Sequence, residues 1–183
     1  LDHLGIAKTH VLGHHGGALL SMNLSYIHPE RVSKVILSGT SGLKEEKEAQ
    51  SFRDNLPVSI EEEWGADGEL LLSAWKRYIN YLPDAEVHQV LIPFINKLMS
   101  RIRPYDAHHA VLKWDRKPAL LGLKDKQLLL IQGTLDHFVS KQENLLEILP
   151  LAERAVIEGA GPFLFFDKAK ECAKVLKNFL AKS

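Results

Sequence analysis

Residues 9–18 read Thr-His-Val-Leu-Gly-His-His-Gly-Gly-Ala, a short apolar run, a glycine-flanked turn and then, without a linker, a helical pattern. A strand, a sharp glycine-flanked turn and a helix are therefore expected here. Three further segments have the same strand character: Val32 to Gly39, Leu128 to Gly133 and Ala155 to Glu158. Each is a β-branched or leucine-rich run stopped by glycine or a polar turn. None alternates, so with Thr9 to Gly13 they are expected to be four fully buried strands. Helical patterns separate them. Leu20, Leu24 and Ile27 share a face, Ser21, Ser25 and His28 form a narrow polar stripe, and this helix is expected to be covered on most sides. Asp167 is expected to cap a last helix in which Ala169, Cys172, Ala173, Leu176, Phe179 and Leu180 recur at helical spacing. Strands alternating with helices predict an α/β fold with a mostly parallel sheet.

The middle of the chain departs from this rhythm. Leu71, Trp75, Tyr78, Ile79 and Leu82 follow a helical period, as do Val87, Leu91, Ile95 and Leu98, with Pro93 set to kink the second helix. Pro104 suits the first position of a third helix, through His108, His109, Val111 and Leu112. The expected organisation is therefore a core segment over 1–42, a helical cap insertion over 43–118 and a second core segment over 119–183. The mixed charges of Lys44 to Glu48 read as a solvated face. Trp75, Tyr78, Tyr81, Phe94, Tyr105 and Trp114 read first as the insertion's own small core.

Composition removes several functions. With 23 basic and 23 acidic side chains the formal charge is zero, so no nucleic-acid partner is expected, since phosphate binding needs a basic surplus. No apolar run is long enough to span a bilayer, and no membrane partner is expected. A single cysteine, Cys172, excludes an internal disulfide and a cysteine-rich metal cage, which makes a reducing cytoplasm the expected location. The glycine cluster lacks the lysine of a phosphate loop and the spacing of a dinucleotide fingerprint. His108 and His109 project about 100° apart on a helix and cannot share a metal. No metal is assigned.

A strand, a glycine-flanked turn and a helix are the setting of a nucleophile elbow. Here the chain resembles the α/β-hydrolase superfamily, in its cap-containing esterase or hydrolase type. Leu4-Gly5-Ile6 and His10 to His14 look like the approach to the elbow, and His28-Pro29-Glu30-Arg31-Val32 with Val35-Ile36-Leu37 like the next helix-to-strand turn. Leu129 to Asp136 looks like the strand ending in the catalytic acid, and Gly159-Ala160-Gly161-Pro162-Phe163 like the loop that supplies the catalytic histidine. The resemblance implies an α/β-hydrolase fold over essentially the whole length, a hydrolytic site and no cofactor. It also implies strands before the elbow that this chain does not contain. The chain is therefore expected to be the C-terminal portion of a longer protein, its front removed, disordered or supplied by another chain that covers the exposed sheet edge.

The departures from the family pattern fall on the chemistry. His15 stands at the nucleophile position, Pro162 at the histidine position, and only the acid, Asp136, remains. Proline offers neither proton acceptor nor backbone donor, so serine-type hydrolysis is expected to be weak or absent. The Gly16 amide at the helix start, with His14 and His137 beside it, is left as a pocket favouring a carbonyl oxygen or an anion, with a small molecule held under the cap. Gly13 and Gly17 are expected to allow close packing of strand on helix. Three readings follow. One is an inactive hydrolase scaffold with a pocket. Another is an enzyme in which His15, oriented by Asp136, acts on an ester, a thioester or an activated C–C bond. The third is an interaction scaffold that presents the cap to a partner.

Overall fold

The structure, a computed structural model, describes residues 1–40, 51, 54, 66–82, 85–99, 110, 111 and 113–182. The chain divides into two compact units, Leu1–Lys44 with Trp114–Ser183, and Glu45–Lys113.

In the first unit the elements run β1 (Thr9–His14), α1 (Gly16–Ile27) and β2 (Val32–Ser38). After the second unit follow α4 (Lys117–Leu121), β3 (Gln127–Gly133), α5 (Gln142–Ile148), β4 (Glu153–Ile157), α6 (Leu164–Asp167) and α7 (Ala169–Leu180). The four strands form one parallel sheet in the order β1-β2-β3-β4. All four strands read from the sequence are present, within a residue or two of their expected limits.

Complete burial holds only for the middle pair. Val35, Ile36 and Leu37 of β2 and Leu128 to Ile131 of β3 are buried, while β1 and β4 alternate. The reason is position: β1 and β4 are the edges, and one face of each reaches solvent at Leu12 and Val156. Helix α1 reverses its expected orientation. Leu20 is 73% exposed and Leu24 and Ile27 are exposed with it, whereas Ser21 and Ser25 are buried beside Ala18, Leu19 and Met22. A buried serine needs a local acceptor, and Ser25 Oγ donates to the carbonyl of Ser21 at 2.7 Å. Asp167 is not the cap of the last helix. It closes the short α6, and Lys168 occupies the N-cap position of α7. Cys172 and Phe179 of α7 complete a core with Ile36, Leu129, Ile131, Ile157, Ala160 and Leu164.

The second unit contains α2 (Glu69–Tyr81) and α3 (Val87–Met99), the latter running through Pro93 as a single helix. Phe94 meets the rings of Trp75 and Tyr78 at centroid distances of 5.0 and 5.5 Å. The stripe that faces inward on α3 is Val90 and Phe94. Val87, Leu91 and Ile95, chosen from the sequence, are exposed. Among the described residues no helix is long and apolar enough to cross a membrane. Lys44 to Glu48, Pro104, Tyr105, His108, His109 and Leu112 lie outside the described residues.

Candidate active site

Parallel register brings the ends of β1 and β2 together, with His14 opposite Ser38. The chain then has to turn from β1 into α1 within one residue, and His15 makes that turn at φ 48, ψ −115. It is the one non-glycine at positive φ among the described residues. Such a conformation persists only where its surroundings enforce it. Two contacts do so here. The His15 amide donates to the Ser38 carbonyl at 2.8 Å, and Gly13 lies so close to α1 that a Cβ there would stand 2.1 Å from the carbonyl oxygen of Gly17. A Cβ on Gly17 itself would meet nothing within 4 Å, so close packing rests on Gly13 alone of the two.

The side chain of His15 reaches across the sheet end to the loop after β3. Its Nε2 lies 3.0 Å from Oδ2 of Asp136, whose side chain is 0% exposed while that of His15 is 28% exposed. Burial pushes the Asp136 carboxyl up. The His15 hydrogen bond, the Phe138 amide at 2.8 Å and the charges of His15 and His137 outweigh it, leaving the group below the ordinary carboxylate range. Asp136 is therefore ionised at neutral pH and accepts from Nε2–H of His15. Among the described residues nothing is hydrogen-bonded to Nδ1, which in the neutral ring is an acceptor.

His14 is placed differently. Its Nδ1 lies 3.0 Å from Ser38 Oγ and its Nε2 2.6 Å from the carbonyl oxygen of Pro162, so neither ring nitrogen is left for a ligand. Burial, then the neighbouring His15, lower its pKa against the opposing pull of the Pro162 carbonyl and Asp136. The exposed His137 ring packs on Phe138 at 4.1 Å and lies 5.6 Å from His15, with Nδ1 3.6 Å from the other oxygen of Asp136. Gly16 opens α1, and its amide is one of those the helix leaves without an internal acceptor. Pro162 is buried and enters through its carbonyl alone. Among the described residues no group of three or more His, Cys, Asp or Glu could hold a metal ion.

Two contributors were not singled out in the sequence, Ser38 and Gly39. A Cβ on Gly39, at φ 59, would stand 2.2 Å from Cδ2 and 2.5 Å from Nε2 of His15. A bare glycine is thus what lets the imidazole lie against Asp136. The available signal was a Ser-Gly pair at the carboxyl end of the strand paired with β1.

A parallel sheet whose first strand enters a helix through a strained one-residue turn, with an acid delivered from a later strand, defines the α/β-hydrolase class. Residues 1–105 match the model of the alpha/beta hydrolase fold family, and the chain belongs to that family. It is 23% identical over its full length to 2-hydroxymuconate semialdehyde hydrolase of Pseudomonas putida and spans 66% of that protein. In fold it is similar to a structure from work on carboxylesterases of Nitrososphaera gargenis, with a TM-score of 0.70, 22% identity, and 99% of this chain and 67% of that one covered. A hydrolase from Pseudomonas aeruginosa PA01 gives a TM-score of 0.73 at 20% identity, covering 100% of this chain and 68% of that one.

Proposed function

We propose that this hydrolase-fold protein does not carry out serine-type acyl transfer and holds a small molecule around His15. A triad needs a hydroxyl or thiol to attack, a neutral imidazole to take its proton and a carboxylate to orient that imidazole. The observation that carries the reading is the position of the imidazole itself. His15 occupies the tip of the turn with Nε2 already on Asp136, and the loop opposite brings Pro162, whose ring can accept no proton. The hydroxyl that does meet an imidazole, that of Ser38, belongs to a residue 0% exposed and closed to substrate. The expected result is no turnover of simple aryl esters and no difference between the wild type and His15→Ala. Hydrolysis that proceeds with an acyl-enzyme burst and vanishes in His15→Ala would contradict it.

A second reading has one specific support, the Nδ1 of His15. An imidazole whose far nitrogen donates to an ionised carboxylate presents its near nitrogen as a base or nucleophile. On this reading the substrate is an ester, a thioester or an activated C–C bond. Activity would then be lost in Asp136→Asn. Indifference to that substitution would exclude it.

A further inference from the structure

We propose that His14 is a positioning residue for His15, held as a single neutral tautomer by a chain running Ser38, His14, Pro162. The proposal rests on the site reading above, in which the His15–Asp136 pair is the centre.

Proton assignment along the chain follows from chemistry. A peptide carbonyl can only accept, so the contact from His14 Nε2 to the Pro162 oxygen at 2.6 Å places the proton on Nε2. The neutral ring then has its lone pair on Nδ1, and the Ser38 hydroxyl, 3.0 Å away, donates to it. Both hydrogen bonds are made with the ring uncharged, and both partners are buried. An imidazole bonded at both ends cannot rotate without breaking one of them.

That fixed ring is a wall for its neighbour. The His14 and His15 centroids are 4.4 Å apart, and Phe165 meets His14 edge-on at 5.4 Å. Phe138 bounds His15 at 5.4 Å. His15 therefore contacts both His14 and Phe138, with Asp136 at its Nε2 end. Ser38 serves both rings, its carbonyl holding the His15 amide and its hydroxyl holding the His14 ring. The titratable groups acting on His14 are His15 from the turn and Asp136 from the loop after β3. The other three partners, Ser38, Pro162 and Phe165, are uncharged.

Long-range proton–nitrogen correlation spectra of the nitrogen-labelled chain test this without any substrate. The expected spectrum has His14 and His15 each in one tautomer, protonated on Nε2. Ser38→Ala should move the His14 titration midpoint upward, because the donor that favours the neutral ring is gone, and Ser38→Thr should restore it. His14→Phe keeps a ring of similar breadth without the nitrogens whose two bonds hold it in place, so the His15 tautomer ratio should fall. A His14 proton on Nδ1 overturns the proposal, as does an unchanged His15 ratio in a folded His14→Phe. If His14→Phe does not fold, an unmoved His14 midpoint in Ser38→Ala overturns it equally. Aryl-ester turnover would remove the proposed function and leave this outcome untouched, so the two failures are distinguishable.

Discussion

The turn after β1 and the loop after β4 meet at the same end of the sheet, yet they are fixed by different means. The turn puts one residue at positive φ and is held there by the His15 amide on the Ser38 carbonyl and by the close approach of Gly13 to Gly17. The loop has no strained side-chain-bearing residue. It is tied to the loop after β3 by Thr134 N to the Ile157 carbonyl, Leu135 N to the Ala160 carbonyl and Gly159 N to Thr134 Oγ1, at 3.0, 2.9 and 2.9 Å. A tight glycine again sets the spacing, since a Cβ on Gly133 would stand 2.0 Å from the Ala160 oxygen. In both places the scaffold is built from main chain and glycine, and the side chains at positions 15 and 162 are free to be of any chemistry the space admits. That is how this part of a hydrolase fold accommodates an imidazole and a proline.

The largest expected effects test whether the two scaffolds are equivalent. Gly13→Ala and Gly133→Ala each force a Cβ into backbone that cannot swing aside, and each should cost about 3 kcal/mol or more, read as a fall in denaturation midpoint. A mild effect at one of them alone would break the equivalence. Gly39→Ala should be smaller, about 1–3 kcal/mol for an alanine at positive φ. Its Cβ meets the far end of the His15 ring, so His15 should leave Asp136 while the amides of Thr134 and Gly159 keep their chemical shifts.

Acid should lower the stability in two stages, the first tied to His14 and the second to Asp136. His14 binds its proton less readily folded than unfolded, so the stability tied to its neutral form declines as pH falls through the unfolded imidazole value of about 6.5 towards its lower folded value. Asp136 is also depressed, so its contribution is complete above the unfolded carboxylate value of about 3.9 and is lost as pH falls below it. Denaturation midpoints of His14→Phe should lack the first decline and those of Asp136→Asn the second. Smallest of all, Leu20→Ser on the exposed face of α1 should shift stability by no more than about 0.5 kcal/mol in this chain. A large loss would mean that this face is covered in solution.

The sequence disclosed the four strands because β-branched and leucine-rich runs ending in glycine are a local signal. The exposed edge at β1 was expected from the strands the family places before it, whereas that β4 is the other edge depends on its neighbours and was not disclosed, and Leu12 and Val156 were read as buried. The face of α1 was misread for a related reason: Ser25 donates to the Ser21 carbonyl within the helix and so can be buried, against the rule that polar residues face out. Within the site, His15 and Asp136 were legible from the turn and the strand that carry them. Ser38 and Gly39 were not, because what brings them to His15 is the register between β1 and β2.

Covalent trapping addresses the central claim most directly. After incubation with an aryl fluorophosphonate, the intact mass of the chain should be unchanged, because no activated hydroxyl is presented at the turn. One stoichiometric phosphonyl adduct, mapped to a serine and abolished by His15→Ala, would contradict the account.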